Sequence, residues 1–219
     1  MAQKEKKIPK YINFPIECLY GKTLREGLDE GLDYAIGHEM RGYDRKNYPD
    51  ENTYYEKMKE GIADKIGVIC YSGWARYAET YRGYKRRGLT GCKTDLVFSV
   101  RKGFADENPL WEMKFRAFLA FKSIIPTKGY IKTNKHMLCA RMAGILNPLE
   151  MDKLGRFYYE ELSNRRTWQG FIKSMCEDWG LGYYPKGRGF YVAFGISGKT
   201  IKERLNNKEI RLKEAMGKS

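Results

Sequence analysis

A mainly helical chain with one short β-hairpin near its end is what the sequence predicts. Three observations carry this. Apolar residues recur at four-residue spacing through the first half. The second half is punctuated by residues that start and stop helices. Two short alternating stretches flank a glycine-rich turn at 185–189.

In the first half, Thr23 and Glu26 have capping-box spacing, and Leu24, Leu28, Leu32 and Ile36 follow on one helical face. The loop RGYDRKNYPDEN comes next, marked by its Gly, Pro, Asn and Asp content. Thr53 and Glu56 repeat the capping spacing, and Met58, Ile62 and Ile66 form a second apolar face. Residues 72–87 read as a helix with Trp74, Tyr77, Ala78 and Tyr81 as its stripe. Residues 71–104 hold eight basic side chains (Arg76, Arg82, Lys85, Arg86, Arg87, Lys93, Arg101, Lys102) against the two acids Glu79 and Asp95. Tyrosines interleaved with Arg and Lys suit phosphates and exposed bases. The same pattern also describes core tyrosines beneath solvated charges.

In the second half, Asn108 precedes Pro109, the favoured first position of a helix. Leu110, Trp111, Phe115, Phe118, Leu119 and Phe121 make that helix apolar almost all round, as a central core helix is. Pro126 and Gly129 end it, and Tyr130–Lys132 is a short strand candidate. Thr133 is placed to cap the next helix, which Gly144 closes. A helix over about 149–162 carries Leu149, Leu154, Phe157 and Tyr158. Ser163 is placed to cap the following one, whose Trp168, Phe171, Ile172, Met175 and Trp179 share a side and which Gly180 ends. Strands at Leu181–Tyr184 and Phe190–Phe194 flank the turn Pro185–Gly189. The tail from residue 198 is a charged helix with the thin stripe Ile201, Leu205, Ile210 and Leu212, suited to docking, dimerisation or ordering on a partner.

Composition sets the class of partner. The chain has 219 residues, with 41 Lys and Arg against 27 acids, a net charge of +14. A basic excess of this size attracts polyanions, of which nucleic acid is the commonest. No run of about 18 apolar residues occurs, so no transmembrane helix is expected. The basic start MAQKEKKIPK has no apolar segment behind it and does not read as a signal peptide. Cys18, Cys70, Cys92, Cys139 and Cys176 are odd in number and widely spaced, which points to reduced thiols and a cytoplasmic setting. His136 and Cys139 form an H-x-x-C with no second pair, so neither a metal nor a cofactor is expected. Asp95 followed by Glu112-Met113-Lys114 matches a nuclease pattern formally, but Glu112 and Lys114 fall in a helical run. No P-loop or nucleophile elbow is present, and no enzyme is expected. Arg188–Phe194 is similar to the aromatic strand motif of RNA-recognition modules, one residue short and without their element order.

The order AFLAFKSII, YIKTNKHMLCARMAG, SNRRTWQGFIKSMCEDWGL and YYPKGRGFYVAF resembles winged helix-turn-helix domains of bacterial, phage and plasmid regulators and replication proteins. The resemblance covers residues about 108–197. It divides the chain into a basic helical region 1–107, a winged helix 108–197 and a charged tail 198–219. It departs from the pattern in one place. The short turn between the second and third helices is here about 18 residues, 145–162.

The resemblance implies a fold of helices with a two-stranded β wing and a recognition helix lying in the major groove of double-stranded DNA. Its outward residues are then Arg165, Arg166, Thr167, Gln169, Gly170 and Lys173. Arg matches guanine edges and Gln matches adenine. Arg165 and Arg166 oppose the dipole at a helix start, which calls for a compensating anion. Lys186 and Arg188 on the wing, and Lys132 and Lys135 before and in the second helix, are candidate phosphate contacts. Arg82, Lys85, Arg86 and Arg87 form a further candidate surface. The implied role is transcription regulation, or replication or recombination of a mobile element. RNA, a protein partner and a homodimer are the other partners the sequence admits.

Overall fold

In a computed structural model, residues 10–68, 73–127, 129–153 and 159–216 are described. The chain is mainly helical with two small antiparallel sheets. It divides into two compact units, residues 1–112 and 113–219.

The first unit begins with strand β1 (Tyr11–Pro15), followed by helix α1 (Leu24–Met40). The Thr23 capping box forms: Glu26 N–H donates to Thr23 Oγ1, and Thr23 N–H donates to the Glu26 carboxylate. Leu24, Leu28, Leu32 and Ile36 are all buried. Helix α2 (Glu51–Ile66) buries Met58, Ile62 and Ile66. Its cap is a correction. Asp50, not Thr53, occupies the N-cap and accepts from the Thr53 N–H at 2.8 Å. Asp50 has one more carboxylate oxygen, which takes the Thr53 hydroxyl at 2.6 Å. A 3-10 turn, Arg45–Asn47, lies in the loop before it.

Helix α3 (Trp74–Gly83) packs on α1, and a Cβ at Gly37 would meet the Tyr77 carbonyl oxygen at 2.1 Å. Only a glycine permits so close an approach. Strand β2 (Leu89–Lys93) then pairs antiparallel with β1, from Tyr11 opposite Lys93 to Pro15 opposite Leu89. Helix α4 (Thr94–Arg101) follows at once, tied to α2 by Thr94 Oγ1 donating to the Ile66 carbonyl at 2.7 Å. The β-ribbon and α4 were not expected in a helical first half.

Helix α5 (Pro109–Ile124) buries Phe115, Leu119 and Phe121, while Leu110 is exposed, so it is not apolar all round. Strand β3 (Ile131–Thr133) leads to helix α6 (Lys135–Met142). Thr133 belongs to the strand. The cap is Asn134, whose side chain accepts from the Met137 N–H at 2.8 Å. Helix α7 (Pro148–Lys153) occupies part of the expected 149–162 helix, and a 3-10 turn, Glu160–Ser163, closes the segment. Leu154, Phe157 and Tyr158 lie outside the described residues.

Helix α8 (Arg165–Trp179) is capped by Asn164, not Ser163, and ends at Gly180 with φ +66°. Strands β4 (Leu181–Lys186) and β5 (Gly189–Phe194) close on a two-residue loop, Gly187-Arg188, tighter than the five-residue turn expected. Gly187 carries φ +65° at the first loop position, which a side chain would resist. The strand order is β3-β5-β4, with Ile131 opposite Val192 and Thr133 opposite Phe190. Helix α9 (Gly198–Met216) docks on β4 and β5 by burying Ile201 and Leu205, while Ile210 and Leu212 stay exposed.

The second unit's core unites Phe121 of α5, Leu138 and Met142 of α6, Trp168, Phe171, Ile172 and Met175 of α8, and Leu181, Phe190 and Val192 of the hairpin. Each large apolar side chain so buried contributes about 1.5–3 kcal/mol. The core thereby fixes which face of α8 looks outward. Among the described residues, no helix is long and apolar enough to cross a membrane.

Candidate nucleic-acid interface

The outward face of α8 follows from its inward one. Trp168, Phe171, Ile172 and Met175 are buried, so residues offset from them around the helix are held in solvent. Arg165, Arg166, Thr167, Gln169, Gly170 and Lys173 are all exposed. The Asn164 side chain accepts from the N–H groups of Arg166 at 2.9 Å and Thr167 at 3.2 Å, which fixes the first turn beneath the two arginines. Beyond Gly170, a Cβ would meet nothing within 4 Å. The middle of this face is open backbone.

The charges on α8 run against its dipole at both ends. Arg165 and Arg166 stand at the positive N-terminus, where no acid occupies the first turn, and the last turn has no basic residue. Glu177 and Asp178 sit near the negative C-terminus instead. Each such placement costs about 0.3–1 kcal/mol at an exposed site. Part of the acidic end is matched by neighbours. Ser174 Oγ donates to Asp178 at 2.5 Å, Lys114 Nζ lies 3.8 Å from the same carboxylate, and Lys173 Nζ lies 3.9 Å from Glu177.

The remaining second-unit cations differ in their freedom. Arg188 is exposed at the tip of the β4–β5 hairpin, and Lys132 is exposed on β3, an edge strand. Lys186 is engaged by Glu209 of α9. That hydrogen bond pushes the Lys186 ammonium pKa up and holds the Glu209 carboxyl below its ordinary range. Lys135 is half-buried, donating to the Leu162 carbonyl at 3.3 Å with its ammonium 4.7 Å from the Trp168 ring centroid. An open depression of about 480 Å³ is lined by Asn134, Lys135, His136, Trp168 and Arg188, among others. It brings the start of α6, the first turns of α8 and the hairpin tip to one place.

In the first unit, Arg82, Lys85, Arg86 and Arg87 are exposed at and after the end of α3. Two other cations of the 71–104 segment are held in ion pairs: Arg76 with Asp33 at 3.0 Å and Arg101 with Asp29. The tyrosine stripe divides. Tyr77 is buried, while Trp74 and Tyr81 are half-buried. Tyr81 is overlaid by the guanidinium groups of Arg41 at 5.2 Å and Arg86 at 5.5 Å.

Two buried cysteines hold their thiols protonated. Burial pushes Cys18 up to about 12 and Cys139 up to about 11. Cys139 is therefore a protonated core side chain of α6 at neutral pH. Cys70 lies outside the described residues. Glu112 and Lys114 both belong to α5, so the E-x-K spacing falls on a helix and not on a strand.

Comparison of the chain with protein-family models, with curated proteins and with solved structures finds no match.

Proposed function

We propose that the second unit is a winged helix-turn-helix that binds double-stranded DNA with α8 as its recognition helix. The order α5, β3, α6, α8, β4, β5, with β3 against β5, is the order that such domains use. In this reading α7 and the following turn are an insertion between the two helices of the motif.

The observation that carries the proposal is the charge arrangement of α8. Cations at the first turn of a capped, well-packed helix weaken the isolated protein. They become favourable when an anion lies against the same N–H groups, and a phosphate is such an anion. Arg165 and Arg166 then meet backbone or guanine, and Gln169 meets an adenine edge. Gly170 lets the helix seat without a side chain in between. Lys132 and Arg188 flank this face as phosphate contacts, and Lys135 and Lys186 join after leaving their present partners. The protein acts as a regulator, or as a replication or recombination accessory factor of a bacterial or mobile-element system, in the cytoplasm.

The test is binding of the full chain to labelled duplex DNA, single-stranded DNA and structured RNA across a salt series. Wild type is compared with a variant carrying Arg165→Ala, Arg166→Ala and Lys173→Ala. Duplex preference with a steep salt dependence, lost in the variant, is the expected result. Equal duplex binding by the variant would place the contact elsewhere. A preference for structured RNA would make the same face an RNA surface, and absence of all binding at low salt would point to an acidic protein partner.

A further inference from the structure

The first unit contains a second concave site that duplex binding by α8 does not use. A cavity of about 360 Å³ is lined by Tyr11, Asn13, Tyr34, His38, Glu39 and Arg86, with apolar side chains between them. That volume is within the range of small-molecule sites, roughly 300–1,000 Å³. Its polar groups come from three places in the sequence, β1, α1 and the segment after α3, which only the fold unites.

Each group is held in a defined way. Tyr11 and Asn13 alternate with the buried Ile12 and Phe14, so both point to the outer face of the β1–β2 ribbon. Opposite Asn13 stands Gly91, where a Cβ would come within 2.5 Å of Asn13 Oδ1. The glycine makes room for the amide. Tyr11 is 47% exposed, so part of its ring is open to solvent. Arg86 overlies the Tyr81 ring at 5.5 Å, which orients its guanidinium, and a guanidinium has five N–H donors to offer. The Glu39 carboxylate accepts from Lys65 at 2.6 Å and lies 3.1 Å from His38 Nδ1. Burial pushes its pKa up, but Lys65 and His38 together outweigh that and hold it below the usual range, so it stays an acceptor at neutral pH.

We infer that this cavity binds a single nucleotide, with the base stacked on Tyr11 and its edge read by Asn13 and Glu39. The phosphate lies on Arg86, whose neighbours Arg82, Lys85 and Arg87 extend the positive surface outward. An amide offers both donor and acceptor to a base edge, and a carboxylate accepts from an exocyclic amine. The base therefore carries such an amine. The nucleotide is either an unpaired unit of a nucleic acid strand or a free mononucleotide. Neither source depends on the winged-helix reading.

Short oligodeoxyadenylate and oligothymidylate strands are titrated with the full chain by fluorescence anisotropy, and dAMP by calorimetry. Tyr11→Ala and Asn13→Ala are compared with wild type. Neither substitution changes net charge, so a loss is not a general weakening of a basic surface. The adenylate strand is expected to bind more tightly than the thymidylate strand. Tyr11→Ala is expected to weaken adenylate binding by roughly fivefold or more, the loss of one stacked base, with duplex affinity and thermal midpoint unchanged. Binding of dAMP that the same substitution weakens supports a free nucleotide as ligand. Binding of the strand alone supports an unpaired strand unit. Equal affinity for the two strands, or adenylate binding unchanged in both variants, would overturn the inference. Loss of duplex binding in the α8 variant is read separately and bears only on the winged helix.

Discussion

Gly170 separates two effects that usually travel together. A glycine in an exposed helix interior costs about 0.5–1 kcal/mol relative to alanine. A methyl group at this position has open space around it. Gly170→Ala is therefore expected to raise stability by that amount in urea unfolding. If the backbone of α8 lies against DNA, the same methyl lowers duplex affinity several-fold. Higher stability with unchanged affinity would remove Gly170 from the contact. Asn164 gives the complementary case. Its side chain satisfies two N–H groups of the first turn, so Asn164→Ala is expected to cost about 1 kcal/mol. The cysteines add a chemical check. At pH 8 the Cys18 and Cys139 thiols, pushed up to about 12 and about 11, carry almost no thiolate. Alkylation mapped by mass spectrometry is expected to reach the half-buried Cys176 before either of them. Early labelling of Cys139 would mean that α6 opens locally.

At the scale of elements, the helix faces were legible because their apolar residues repeat at helical spacing. The outward set on α8 came directly from that repeat. The caps were displaced by one residue at α6 and α8, and by three at α2. Thr133 and Asn134, like Ser163 and Asn164, are neighbours of which either could cap, and only backbone geometry chooses between them. The engagement of Lys135 and Lys186 was not legible, since their partners Leu162 and Glu209 come from other elements. The Glu209 contact carries its own prediction. Glu209 of α9 neutralises Lys186, a cation that a DNA phosphate would take in the proposed winged helix. Glu209→Gln is expected to tighten duplex binding and to steepen the dependence of log K on log salt by about 0.9, one further phosphate contact. Acid acts in the same direction. The depressed Glu209 pKa means that the pair contributes above the unfolded carboxylate value and is lost as pH falls through the folded one. An unchanged salt slope in the variant would place the wing away from the duplex.

At the scale of the whole molecule, pairing between distant parts of the chain is what the sequence left hidden. Tyr11 meets Lys93 across most of the first unit, and nothing local in either strand announces the other. The nucleotide cavity built on that ribbon was hidden for the same reason, although Arg86 on its rim belonged to a patch visible from charge alone. That charge decides a last prediction. Matching each of the 27 acids with one base would still leave 41 − 27 = 14 cations without an acid. Their mutual repulsion destabilises the free protein, and salt screens it over a Debye length of about 10 Å at 0.1 M. Exposed ion pairs such as Lys57–Glu60 and Lys173–Glu177 are screened as well, but each contributes little. The thermal midpoint of the free chain is therefore expected to rise with added salt, while duplex affinity falls. If the proposed duplex binding holds, added duplex DNA is expected to stabilise the chain at low salt, an effect that fades as salt increases. The two melting curves should thus converge at high salt. A midpoint that falls with salt in the free chain would mean that ion pairs outweigh the excess charge, and a duplex that leaves the low-salt midpoint unmoved would argue against DNA as the partner of that charge.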